Sequence, residues 1–217
     1  VRVLNSDGSI SPNNFIDVSS NIIPLFSIAP YDERGLLGLA LSPSFATDGT
    51  LFFYASYLKG DATPDFTVSP DTLIMDGTGY DDIDHHSVII KRTITDDNLD
   101  GIFDFSDSYV DTEILRFEQP TTNTFASYGL GSNHNGGHLF FDADGLLMVA
   151  IGDGGDANDT GNGHVAIGNG ADATNILGTL IRIDPDGNNS ANGKYGIPSD
   201  NPFVGHPTYL PEIYAYG

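Results

Sequence analysis

The sequence predicts an all-β fold, a β-propeller represented by about two four-stranded blades and part of another. Three observations carry this. An ordered set of four apolar runs occurs twice, the acidic residues are almost all Asp, and Gly and Pro are abundant. Of 30 acidic residues 26 are Asp, against 3 Lys and 5 Arg, with 26 Gly and 12 Pro in 217 residues. Asp and Gly favour turns where Glu and Lys favour helices, so the bias is that of a chain of short strands and many reversals.

Residues 1–30, with strands expected at Arg2-Val3-Leu4 and Phe15-Ile16-Asp17-Val18, are assigned to a neighbouring or closing blade. Residues 31–120 make the first full unit. It contains the run from Gly35 to Leu41, a turn at Asp48-Gly49, the run Leu51 to Tyr54, a long polar insertion, then Val88 to Arg92 and Glu113 to Phe117. Residues 121–217 repeat that order with His138 to Phe141, a turn at Asp144-Gly145, Leu146 to Ile151, an insertion, Thr179 to Ile183 and Glu212 to Tyr216. Sandwiches also hold many short strands, but they do not usually repeat an ordered set of four. A propeller closes with four to eight blades, so this stretch is expected to join the rest of a propeller or to self-associate.

A formal net charge of -22 repels phosphate backbones and anionic lipid, which argues against nucleic acid and membrane surfaces as partners. Divalent cations and neutral sugars suit it better. No apolar run approaches the ~20 residues that cross a bilayer. There is no Cys, which excludes disulfides and thiolate metal sites.

Chemistry is expected first in Ser132-Asn133-His134-Asn135-Gly136-Gly137-His138, at the entry to the inner strand of the second unit, where loops open on the central axis. Small and polar neighbours leave His134 accessible, and imidazole is the side chain that exchanges protons near neutral pH. The alternative for His134 is a turn residue bonded to backbone. Ile151-Gly152-Asp153-Gly154-Gly155 ends the next strand, on the same rim if the strands are neighbours, and a carboxylate there would orient the imidazole. As an alternative, Asp-Gly-Gly is simply a good turn.

From Asp96 to Asp107, oxygen-bearing side chains fall at loop positions 1, 3, 5, 9 and 12 (Asp96, Asn98, Asp100, Asp104, Asp107), with Gly101 at position 6. That is the spacing of an EF-hand-type calcium loop, apart from Asp in place of the final Glu. His85-His86 beside Asp81, Asp82 and Asp84 admits either a metal site or a solvated loop, and the solvated loop is the expectation.

Six motifs in order across the chain extend the reading. They are Glu33-Arg34-Gly35-Leu36-Leu37-Gly38-Leu39-Ala40 with Pro43 and Phe45; Asn133 to Gly137; Gly152 to Gly155; Leu177 to Gly187; Asp200-Asn201-Pro202-Phe203; and Glu212 to Gly217. Together they resemble the soluble quinoprotein glucose and aldose sugar dehydrogenases. The resemblance implies a six-bladed propeller of roughly twice this length that uses pyrroloquinoline quinone (PQQ) and calcium (Ca2+). It also implies oxidation of an aldose sugar at the anomeric carbon, an external electron acceptor, and a periplasmic or secreted location. His134 is then the catalytic base and Asp153 its acidic assistant, while Glu33 and Asn133 border the sugar. Residues that clamp the quinone are expected beyond Gly217. His138 departs from the Arg usual after the paired glycines. The alternative is a non-enzymatic extracellular propeller that binds carbohydrate or protein with calcium, and a third reading is a calcium-stabilised structural segment.

Overall fold

The computed structural model describes residues 1–24, 32–68, 85–104, 106–120, 133–155, 157–160 and 163–217. Among the described residues eight strands occur: β1 (Leu36–Leu41), β2 (Thr50–Leu58), β3 (His85–Thr95), β4 (Ser108–Gln119), β5 (Gly136–Phe141), β6 (Leu147–Ile151), β7 (Thr179–Ile183) and β8 (Ile213–Tyr216). They form two antiparallel sheets, β1-β2-β3-β4 and β5-β6-β7-β8, each strand beside its sequence neighbour. Both expected four-strand units are therefore present as blades. β2, β3 and β4 run longer than their apolar cores suggested, because polar residues such as His85, Ser87, Thr93 and Gln119 continue the ladder.

The repeat extends to its irregularities. β1 loses register between Leu36 and Gly38, and β5 does so between Gly136 and His138. β3–β4 pairing slips between Ile89 and Ile90, and β7–β8 pairing between Leu180 and Ile181. A bulge bends a strand and re-aims its side chains, so matching bulges give the two blades the same shape.

One face of each sheet meets the other. Phe52, Tyr54, Ile89, Leu115 and Phe117 of the first blade share a core with Leu139, Val149, Ile151, Ile181 and Ile213 of the second. The inner strands β1 and β5 adjoin at the seam. There a Cβ on Gly38 would lie 1.9 Å from the Gly137 carbonyl oxygen, so only glycine lets the two backbones approach so closely.

The first blade's other face carries Leu51, Phe53, Ala55, Val88, Ile90 and Ile94, packed with Ile16 and Val18. Residues 1–24 thus cover that face, but the strands expected at Arg2–Leu4 and Phe15–Val18 do not form. Only isolated bridges occur there, Leu4 to Ile10 and Ile22 to Tyr57. An extended segment becomes a strand when a sheet supplies its ladder partners, and here the segment lies across a sheet face. Residues 25–30, Asp81, Asp82, Asp84 and Ser132 fall outside the described residues. Among the described residues no helix is long and apolar enough to cross a membrane.

Candidate active site

Three chain segments converge on one rim: the approach to β1, the approach to β5 and the end of β6. His134 stands immediately before the Asn135-Gly136 entry to β5 with φ 55°, a left-handed conformation uncommon for a residue with a side chain. Gly152, beyond β6, allows this. A Cβ there would sit 1.7 Å from the His134 carbonyl oxygen.

His134 Nδ1 lies 2.9 Å from Asp153 Oδ1. A carboxylate accepts at that distance, so Nδ1 carries the proton and Nε2 is left as the basic nitrogen. The His134 side chain is 45% exposed and that of Asp153 23%, so the pair opens to solvent. Asp153 is itself held. Its Oδ1 accepts the Gly155 amide at 3.1 Å and its carbonyl accepts Asn169 Nδ2 at 2.8 Å. Glu33, ahead of β1, accepts the His134 amide on Oε2 at 2.6 Å. Of the four expected site residues, His134, Asp153 and Glu33 thus form one connected set, and Asn133 adjoins it in the chain, half-buried.

Sequence reasoning missed the layer beneath. Asn135 is buried, its carbonyl accepts the Tyr54 hydroxyl at 2.8 Å, and its Oδ1 lies 2.7 Å from His85 Nε2. The solvated-loop reading of His85-His86 is corrected, because both are fully buried at the start of β3. Tyr57 and Leu58 on one side and Glu118 and Gln119 on the other pair with them, so the ladder carries this polar dipeptide inside. His86 Nδ1 accepts from Arg116 at 3.2 Å; burial first, then the Arg116 charge, lowers its pKa to about 4. A polar pair straddling the start of a long apolar run was the available signal. A further buried hub, Asn169, also accepts the Val165 amide and Asn175 Nδ2, while Asp159 accepts the Asn169 and Gly170 amides and lies 2.6 Å from His164 Nδ1.

The Asp96–Asp107 loop lies elsewhere. It joins the far end of β3 to β4, at the opposite end of the blade from His85 and His134. Its side chains turn onto its own amides. Asp96 accepts those of Asp100 and Gly101, Asn98 that of Asp100, Asp100 that of Ile102, and Asp107 those of Asp97 and Asp104. Among the described residues no three acidic or imidazole groups are arranged to hold a metal.

A family model, glucose/sorbosone dehydrogenase, matches residues 5–217. The chain belongs to that family. In the curated relatives, HIPL1 protein of Arabidopsis thaliana is 27% identical over 223 residues, covering 93% of this chain and 29% of the relative. Hedgehog-interacting protein of Homo sapiens is 25% identical over 217 residues, covering 100% of this chain and 25% of the relative. The soluble aldose sugar dehydrogenase of Escherichia coli, in its apo-form, superposes with TM-score 0.56 at 19% identity, over 100% of this chain and 44% of that one. The PQQ-bound aldose sugar dehydrogenase of Streptomyces coelicolor gives TM-score 0.55 at 20% identity, over 97% and 41%. At such identities the likeness to solved structures is one of fold. This glucose/sorbosone dehydrogenase-family chain spans less than half the length of those relatives.

PQQ carries three carboxylates, which need fixed cationic partners when buried. Arg34, Lys91, Arg92, Arg116 and Arg182 are each paired with a carboxylate of the chain. Five of the eight cationic side chains are thus engaged by the chain's own carboxylates and, as placed, do not fit the carboxylates of the quinone.

Proposed function

We propose that the intact protein oxidises an aldose sugar at its anomeric carbon, with His134 as general base. The carrying observation is the 2.9 Å contact of His134 Nδ1 with Asp153, which leaves Nε2 free to take the anomeric hydroxyl proton and stabilises the imidazolium that results. Glu33 and Asn133 border the sugar in this reading. When bound, PQQ would supply the hydride-accepting chemistry in this reading, with an external electron acceptor to reoxidise it. The chemistry derived from the residues of this stretch ends at the proton. A periplasmic or secreted location belongs to the same proposal.

Loss of a positioned base costs about 10²- to 10⁴-fold in rate. His134→Gln in the intact protein, assayed with PQQ, calcium, an aldose and a dye, is expected to lose kcat on that scale with KM little changed. Turnover close to wild type excludes the role. The second reading, an extracellular binding propeller, is supported by a relative named for an interaction, Hedgehog-interacting protein. It gains if the intact protein with quinone and calcium reduces no dye.

Calcium at Asp96–Asp107 is carried as a proposal on its loop spacing. Binding requires these side chains to swing from their amides toward a common centre. A ligand at a hundredfold excess over its Kd adds about 2.7 kcal/mol to stability. Calcium is expected to raise the melting temperature and EGTA to reverse the rise. No binding heat and an unmoved midpoint remove the proposal.

A further inference from the structure

His134 belongs by sequence to the second blade, yet three of the groups that fix its surroundings come from the first. Glu33, ahead of β1, accepts the His134 amide at 2.6 Å. Tyr54 of β2 donates its hydroxyl to the Asn135 carbonyl at 2.8 Å. His85, the first residue of β3, sets Nε2 2.7 Å from Asn135 Oδ1, which requires the proton on that nitrogen. Tyr54, His85 and Asn135 are at most 1% exposed, so none of them is placed to touch a bound sugar. The seam is also tight sterically: a Cβ on Gly137 would lie 2.6 Å from the Leu37 Cβ of the first blade.

His134 needs such holding. Its left-handed backbone is not one a side-chain-bearing residue adopts without help from its surroundings. Its side chain is nearly half exposed, so core packing does not lock the ring. Besides the Asp153 contact on its ring and the Gly154 amide on its carbonyl, hydrogen bonds to its own amide and to the next residue hold it. A displacement of about 1 Å in a reacting group can cost up to about 10²-fold in rate.

We propose that the neighbouring blade positions the base: Glu33, Tyr54 and His85 are positioning residues for His134, and Asn135 is the residue through which the last two act. The inference rests on the reading of His134 as general base, and it makes blade-to-blade packing a determinant of catalytic geometry.

The test uses the intact protein with imidazole and amide NMR of His134 alongside steady-state kinetics. Tyr54→Phe removes one oxygen and leaves the ring in the core. It is expected to move the His134 amide and ring-nitrogen signals and to lower kcat about 10-fold, with KM changed less than about twofold. His85→Leu is expected to do the same, and His85→Gln, which keeps an N–H for Asn135, to restore most of both readouts. Folded Tyr54→Phe and His85→Leu proteins with wild-type His134 signals and wild-type kcat overturn the proposal. A rise in KM alone overturns it too. Should neither variant fold, Glu33 decides, because it is exposed. Glu33→Ala must shift the His134 amide signal upfield and Glu33→Gln, which retains an acceptor, must largely preserve it; an unmoved signal in Glu33→Ala overturns the proposal. The NMR readouts do not need turnover, so a protein without sugar oxidation defeats the functional reading and leaves this one measurable.

Discussion

The two blades share a strand order and a set of bulges but not an environment. The first is covered on both faces, by residues 1–24 and by the second blade, and eight of the nine residues of β2 are buried. Within residues 1–217 the second blade is covered on one face only. Its opposite face leaves Phe140, Tyr214 and Tyr216 exposed, and only Ile213 of β8 is buried. The matching second strands do not share this difference: β2 and β6 are both near-continuous apolar runs, with eight of nine and four of five residues buried. The contrast lies in the fourth strands, where five residues of β4 are buried against one of β8.

The largest expected effect is in packing. Phe53, fully buried on the covered face of the first blade, should cost about 3–5 kcal/mol when changed to Ala, by urea denaturation of the intact protein. Phe140→Ala, at a side chain 39% exposed within residues 1–217, should cost less than Phe53→Ala if that face stays uncovered in the intact protein. Equal costs would break the comparison and show that Phe140 is covered in the intact protein.

A smaller effect separates the blades by pH. His86 in the first blade is held neutral, with its pKa lowered from 6.5 to about 4. The unfolded chain takes up this proton as pH falls through 6.5, while the folded one does not until about 4. Stability tied to neutral His86 is therefore complete above pH 6.5 and is lost as pH falls from there towards 4. Thermal melts of wild type and His86→Gln should show any wild-type advantage at pH 7 shrinking, or reversing, by pH 4. A pH-independent difference between the two proteins refutes the assignment.

The smallest effect concerns charge between the blades. Lys91 of β3 pairs with Asp186 beyond β7, and the Asp186 side chain is 79% exposed. Lys91→Ala is expected to change stability by no more than about 1 kcal/mol, with the difference fading as salt is raised. A loss of several kcal/mol would mean that this pair, and not the apolar seam, holds the blades together.

Much of this was legible in the residues. The strands follow from apolar runs, with Asp-Gly turns between β1 and β2 and between β5 and β6, because alternate burial and tight reversal are local demands that a short stretch of sequence expresses. His134 and Asp153 were also legible, as an imidazole and a carboxylate in Gly-rich segments at the ends of consecutive strands. The first segment was misread because Arg2-Val3-Leu4 has strand composition without a sheet edge to join. His85-His86 was misread because its acidic neighbours suggested solvent, whereas the β2 and β4 ladders bury it.

What the sequence by itself determined was the repeat, its turns and the presence of a histidine and an aspartate that can act together. Only the tertiary structure decided that Glu33 grips the His134 amide and that Tyr54 and His85 reach Asn135. Those partners are 50 to 101 residues apart in the chain. A hydrogen bond over such a separation exists because two sheets pack at one distance and angle, and a glycine-lined seam sets that distance without any local pattern that announces its partner.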